Sequence, residues 1–118
     1  MSRMFYLAAV AILLAGSVRA EPILLCGANS VFVIDTTTAA NGKIDKSWVW
    51  DARQRDDLPK AVRGAFGTTD DCKPVDGGRR VLVSASSSGC ALVERPSGKV
   101  IWYAPVANAH SLELLPRD

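Results

Sequence analysis

Short apolar runs separated by turn-forming residues dominate the second half of the chain. From Arg80 to Ala104 the sequence reads RVLVSASSSGCALVERPSGKVIWYA. A Ser/Gly-rich loop and the turn Arg95-Pro96-Ser97-Gly98 divide this stretch into three segments, which is typical of consecutive antiparallel strands. The predicted strands cover residues 81–85, 90–94 and 99–103.

The first half of the chain shows the same order of elements. Predicted strands cover residues 23–28, 31–35 and 46–51. Residues 23–25 align with 81–83 at an offset of 58, and residues 31–35 align with 90–94 at an offset of 59. The turn residues Gly42-Lys43 align with Gly98-Lys99 at an offset of 56. A repeat of about 58 residues with three or four strands is typical of a β-propeller blade with long loops.

These patterns predict an all-β fold of antiparallel, four-stranded propeller blades. Blade one covers residues 23–51, blade two covers 70–104, and a first strand of blade three covers 109–116. Residues 71–75 are predicted as the innermost strand of blade two, and residues 58–69 as irregular. The mixed-charge run at 51–57 is predicted to be a solvated loop.

About two blades are fewer than a closed propeller needs, since propellers contain about four to eight. Residues 21–118 are therefore predicted to be a partial propeller, the N-terminal portion of a longer protein. If the chain is complete, its sheet edges stay open or pair with another chain, which would favour self-association.

Residues 1–20 are predicted to be a signal peptide. Arg3 precedes an apolar run at 5–15, and small residues at Val18 and Ala20 fit a cleavage site before Glu21. The alternative, a membrane anchor, is disfavoured because the run is shorter than the ~20 apolar residues of a spanning helix. The mature protein is thus predicted to be secreted or periplasmic, without a membrane partner.

Removal of this segment neutralises the chain. The sequence has 14 basic and 12 acidic residues, and Arg3 and Arg19 leave with the signal, so the net charge falls from +2 to 0. A neutral chain exerts no long-range attraction on polyanions. Nucleic acid is therefore excluded as a predicted partner.

Residues 94–102 resemble a propeller hairpin. They match the acidic-x-x-Ser/Thr-Gly-Lys-x-x-Trp motif of quinoprotein-like and WD40-like repeats, and Asp35, Gly42-Lys43 and Trp48 form a looser copy. The Cys-Lys-Pro phrase at 72–74 and the phrase at 110–116 are similar to those of secreted bacterial propellers of uncharacterised function. The resemblance implies a Gly that permits the turn and a Trp that packs between blades. It implies no particular ligand or cofactor.

Three cysteines leave two alternatives open. Cys72 and Cys90 form the obvious disulfide pair by spacing in an exported chain. In the blade arrangement a middle strand separates them by roughly 9 to 10 Å, beyond the ~7 Å that a disulfide allows. The other alternative is three small buried hydrophobic side chains, and Cys26 is predicted to lie in the core.

The best candidate site residues are Asp70, Asp71 and His110, the only histidine. Alignment of the innermost strands places His110 level with the two aspartates, at the mouth of the central funnel. The resemblance to propellers implies that ligands and metals bind there. The alternative role is structural hydrogen bonding at strand ends.

The predicted function is an exported propeller-type binding or scaffolding module without catalytic activity of its own. The alternative is a fragment of a quinoprotein-like or lactonase-like propeller enzyme, with a metal or cofactor site in the funnel to which Asp71 and His110 contribute. A third hypothesis is a fragment without independent function. The sequence names no cofactor and no ligand.

Overall fold

The computed structural model describes residues 21–39 and 41–117, which contain two antiparallel β-sheets. The first sheet has the order β1-β2-β3, formed by Pro22–Gly27, Ser30–Asp35 and Lys46–Asp51. The second has the order β4-β5-β6-β7, formed by Thr69–Val75, Arg80–Ala85, Gly89–Glu94 and Val100–Ala104. The prediction of an all-β antiparallel fold is confirmed. The predicted signal at 1–20 lies outside the described residues.

The first two strands of one sheet and the matching strands of the other are separated by nearly constant intervals in residue number. The residue numbers of β1 and β5 differ by 58 at both ends (80 − 22 and 85 − 27). Those of β2 and β6 differ by 59 at both ends (89 − 30 and 94 − 35). The second sheet has one strand more, β4, at the edge beside β5. The six strands predicted at 23–51 and 81–103 therefore form, with slightly shifted bounds.

Short helical turns fill the connections. Two of them, α1 (Thr36–Ala39) and α2 (Lys60–Arg63), are α-helical, and three are 3-10 turns: Ala52–Gln54, Ala65–Thr68 and Asp76–Gly78. The segment predicted to be irregular thus contains helical turns, because Leu58 and Phe66 anchor it in the core. In the described part of the chain, no helix is long and apolar enough to cross a membrane.

The segment after β7 differs from the prediction. Residues 105–117 form no strand, so the strand expected at 109–116 is absent. A strand exists only where its backbone pairs with a neighbour. Instead, the Asn108 amide donates a hydrogen bond to the Ser86 carbonyl at 2.9 Å. The segment therefore runs beside the second sheet without joining its ladder.

The hydrophobic core lies between the two sheets. Phe66 is fully buried at its centre, with its ring 5.8 Å from Trp50 in an edge-to-face arrangement and 6.4 Å from Tyr103. Such pairs contribute about 0.5–1.5 kcal/mol beyond the burial of their area. Phe66 therefore joins β3 of the first sheet to β7 of the second. The buried members of this cluster are Val31, Trp50, Ala52, Leu58, Phe66, Val81, Val83, Ala85, Ala91, Val93 and Val100.

Two indole groups connect the first sheet to the turn between β6 and β7. Trp50 Nε1 donates to the Gly98 carbonyl at 3.0 Å in a buried bond, and Trp48 Nε1 donates to the Pro96 carbonyl at 3.1 Å. The Arg95 guanidinium lies 5.1 Å from the centre of the Trp48 ring, within the range of a cation–π contact. The turn therefore depends on β3 for its hydrogen-bonding partners.

The loop at 51–57, predicted to be solvated, is mostly exposed, but part of it also contributes to the contact between the sheets. Asp57 Oδ2 accepts a hydrogen bond from the Val100 amide at 2.8 Å, and Ala52 is fully buried. Arg55 donates to both Asp57 oxygens, at 2.9 and 2.8 Å. The alternating charges thus pair within the loop, and one Asp57 oxygen also serves the second sheet.

Gly89, which opens β6, has no room for a side chain. Its φ is +130°, and a Cβ built on it would lie 2.1 Å from the Ala104 carbonyl oxygen. We expect Gly89→Ala to lower the free energy of unfolding by more than about 3 kcal/mol, since backbone must move and the φ is strained. Urea unfolding measures this. The matched control is Gly27→Ala, whose Cβ meets nothing within 4 Å. Equal stability of both variants would contradict the expectation.

Acid should weaken the contact made by Asp57. Hydrogen bonds from Arg55 hold the pKa of Asp57 below its usual value of 3.8, and the Val100 amide adds to this effect. A carboxylate with a lowered folded-state pKa stabilises fully above its unfolded-state pKa and loses this contribution as pH falls through the folded value. We expect Asp57→Asn to cost about 1 kcal/mol or more at neutral pH.

The difference between wild type and Asp57→Asn isolates this residue from Asp35 and Asp51, whose pKa values are also lowered by hydrogen bonds. Urea unfolding across the acid range should show the two stabilities converging below about pH 4. A difference that stays constant down to the lowest pH would show that the charge of Asp57 contributes nothing.

Candidate ligand-binding site

The start of β4 positions both predicted aspartates. The register with β5 shifts between Thr69 and Asp71, so Asp70 is the extra residue of a β-bulge. Bulges change the direction of side chains and are common beside functional sites. The Thr69 amide donates to the Ala28 carbonyl at 3.4 Å, which fixes the entry of β4 against the first sheet.

The segment that carries His110 is anchored beside the second sheet by a similar backbone hydrogen bond. Its Asn108 amide donates to the Ser86 carbonyl, just as the Thr69 amide donates to the Ala28 carbonyl. The two acceptors differ in residue number by 58 (86 − 28), the offset that also separates β1 from β5. Asn108 has a φ of +58°, a left-handed conformation that Asn tolerates better than most residues. Thr69 and Asn108 thus occupy equivalent places. Asp71 lies two residues after Thr69 and His110 lies two residues after Asn108, so these two residues are equivalent as well.

The structure brings the three predicted residues together. His110 Nδ1 lies 3.1 Å from Asp70 Oδ2, and Ser111 Oγ donates to Asp71 Oδ2 at 3.3 Å. Lys73 Nζ lies 3.8 Å from the same Asp71 oxygen. Sequence reasoning missed Ser111 and Lys73, although both are direct neighbours, at one or two positions, of residues it selected.

The cluster is polar and accessible. The His110 side chain is 70% exposed and that of Asp70 is 32% exposed. The arrangement is not that of a Ser-His-Asp triad, in which the imidazole lies between the hydroxyl and the carboxylate. Here Ser111 and His110 bind different aspartates. Within residues 21–39 and 41–117, no group of three or more His, Cys, Asp or Glu could hold a metal ion.

Two thiols lie close to this cluster. Burial raises the pKa of Cys72 to about 12, and a hydrogen bond with Cys26 adds to the shift. Burial also raises the pKa of Cys26, with smaller contributions from the Asp71 and Asp70 carboxylates. Both groups are therefore neutral thiols at physiological pH and poor nucleophiles.

The bridge between Cys72 and Cys90 does not form, since all three cysteines are free. Cys72 pairs with Val83 and Cys90 pairs with Ser84 across β5. Because Val83 and Ser84 are adjacent, the two cysteines point to opposite faces of the second sheet. Their opposite orientation is thus a second reason, besides the intervening strand, why Cys72 and Cys90 form no disulfide.

A cleft of about 360 Å³ opens elsewhere between the sheets. Arg95 lines it and donates from Nη1 to the Gly78 carbonyl at 2.8 Å, while its buried Nε has no hydrogen-bond partner in the described chain. The sequence did not single out Arg95, because its place in the turn at 95–98 already accounted for a polar residue at this position. The other lining residues are Pro22, Leu24, Val33, Pro74, Gly77 and Gly78.

Comparison with known proteins adds no assignment: no protein-family model, curated protein or solved structure matches the chain. The resemblance of residues 94–102 to propeller hairpins therefore remains a prediction from the motif alone.

Proposed function

We propose that this chain is an exported binding or scaffolding module of the β-propeller type, without catalytic activity of its own. The observation that carries the binding role is the convergence of His110 and Ser111 on Asp70 and Asp71. The propeller assignment is supported by two antiparallel sheets that pack face to face and whose equivalent strands are offset by 58 or 59 in residue number. Propellers bind ligands where the inner segments of successive blades meet, and β4 and the non-strand segment 108–111 would be two such segments.

The chemistry of the cluster suits a hydrogen-bonding ligand. The Asp70 and Asp71 carboxylates accept hydrogen bonds, the Lys73 ammonium donates them, and the exposed imidazole of His110 does either according to its tautomer. Each partner already bound in the free protein, such as the Ser111 hydroxyl, can be exchanged for a ligand hydroxyl or amide. Sugars and peptides carry these groups at high density.

Binding is tested by presenting the mature chain to glycan and peptide arrays. We expect binding to at least one class, weakened about tenfold or more by Asp71→Asn, because one charged hydrogen bond contributes about 1.5–3 kcal/mol. Asp56→Asn is the matched control, since Asp56 is exposed and lies in the loop after β3. Absence of any ligand, together with turnover of a small substrate, would refute the binding module.

Export is tested by the intact mass of the native protein from the extracytoplasmic fraction of its source. We expect the mass of a chain that begins at Glu21, because cleavage after Ala20 removes the apolar segment. The control is the cytoplasmic fraction, in which the uncleaved chain should be transient. A stable cytoplasmic protein that retains Met1 to Ala20 would refute export.

A further inference from the structure

Strands β1 of the first sheet and β4 of the second sheet lie against each other where the two sheets meet. The Thr69 amide, which opens β4, donates to the carbonyl of Ala28, the residue after β1, at 3.4 Å. Further from these ends, Leu24 of β1 and Pro74 of β4 line the same cleft between the sheets. The two strands therefore run side by side in opposite directions, with two fixed points of contact.

Equal steps from these contact points lead to one thiol on each strand. In β1, Cys26 stands two residues from each of its two contact residues. In β4, Cys72 stands two residues before Pro74 and three after Thr69, but the bulge at Asp70 adds one residue without lengthening the ladder. Side chains two positions apart in a strand share a face. The two cysteines are thus placed opposite each other.

The side chains confirm this placement. Cys26 and Cys72 both pack against the core cluster, and a hydrogen bond joins their thiols. Burial raises the pKa of both groups, but the bond between them opposes this rise at Cys26 and adds to it at Cys72. Cys26 is therefore the first of the two to lose its proton. Cys90 has no part in this contact, since it lies on the opposite face of the second sheet.

We propose that Cys26 and Cys72 form a disulfide that joins the two sheets covalently when the chain meets a disulfide oxidant such as oxidised glutathione. The Cys26 thiolate attacks one sulfur of the oxidant, whose S–S bond breaks to release one glutathione as a thiolate. The Cys72 thiolate then attacks the Cys26 sulfur and releases the second glutathione. The protein loses two protons and two electrons, and the oxidant is reduced to two thiols that take up the protons.

This bridge would connect segments that are distant in sequence. It closes a loop of 46 residues (72 − 26) that contains β2, β3 and Phe66. Closure of such a loop restricts the unfolded chain and so favours the folded one. The bridge also ties β4 to the first sheet one residue from Asp71, and therefore holds the strand that carries the aspartate cluster.

The inference does not rest on the proposed ligand. Export matters only for the source of the oxidant, because secreted and periplasmic proteins meet oxidising conditions that cytosolic proteins do not. The reaction of the purified chain with oxidised glutathione is the same in either case. Failure of export would therefore leave the result of the following experiment unchanged.

The test treats the reduced, folded chain with oxidised glutathione at about pH 9, where more of each thiol is ionised. We expect the mass to fall by two hydrogen atoms and one of the three thiols to remain. Trypsin digestion without reduction should link the peptide that ends at Lys43 to peptide 64–79. The thermal midpoint should rise by roughly 10 °C and return when dithiothreitol is added.

The matched control is Cys90→Ser, which should form the same link and show the same rise. Cys26→Ala and Cys72→Ala should show neither and should keep glutathione on the remaining thiol. If either alanine variant does not fold, the peptide map of the wild type decides alone. A bridge that includes Cys90, or links between chains in place of the internal one, would overturn the proposal. So would a folded wild type that keeps both thiols reduced, or only glutathione adducts, under conditions that oxidise the chain in urea.

Discussion

The fold depends on the two indole N–H groups of β3 that bind the carbonyls of Pro96 and Gly98. The bond to Gly98 is buried and the bond to Pro96 is exposed. Burying the Gly98 acceptor without a partner would cost several kcal/mol. Trp48 and Trp50 satisfy these acceptors, and the Trp50 ring excludes water from the core beside Phe66. In β7, which follows the turn, the Val100 amide donates a hydrogen bond to the Asp57 carboxylate. Residues in the first half of the chain therefore supply hydrogen-bonding partners to both acceptor and donor groups of the second sheet.

The aspartate cluster forms where β4 and the segment after β7 are each anchored to a loop of the preceding sheet. Thr69 and Asn108 bond to carbonyls of equivalent loops, and the bulge at Asp70 then lets two neighbouring carboxylates meet His110 and Ser111. The cluster thus lies between β4 and the segment after β7 and belongs to neither alone. Because His110 is 70% exposed, its side chain can change without disturbing the packed faces of the sheets.

The local patterns predicted the strands well, because alternating apolar residues bounded by Gly, Pro and Ser have few other solutions. The meeting of His110 with the aspartates was also predicted, through alignment of inner strands. The roles of Asp57 and Phe66 in the contact between the sheets were missed for a common reason. Asp57 stands in a mixed-charge run and Phe66 stands between glycines. Neither context reveals a partner as distant in sequence as Val100 or Tyr103. A strand was predicted at 109–116 because the sequence there is strand-like. None forms, because a strand also needs a neighbour with which its backbone can pair.

The bonds from β3 to the turn span 48 residues of sequence. During synthesis the first sheet is therefore made well before the acceptors that its tryptophans require. Until residues 96–100 follow, Trp48 and Trp50 remain on an open apolar face, the kind of surface on which chaperones act and aggregation begins. Non-local closure of this type also slows folding. A contact that stabilises the final fold therefore also delays its formation.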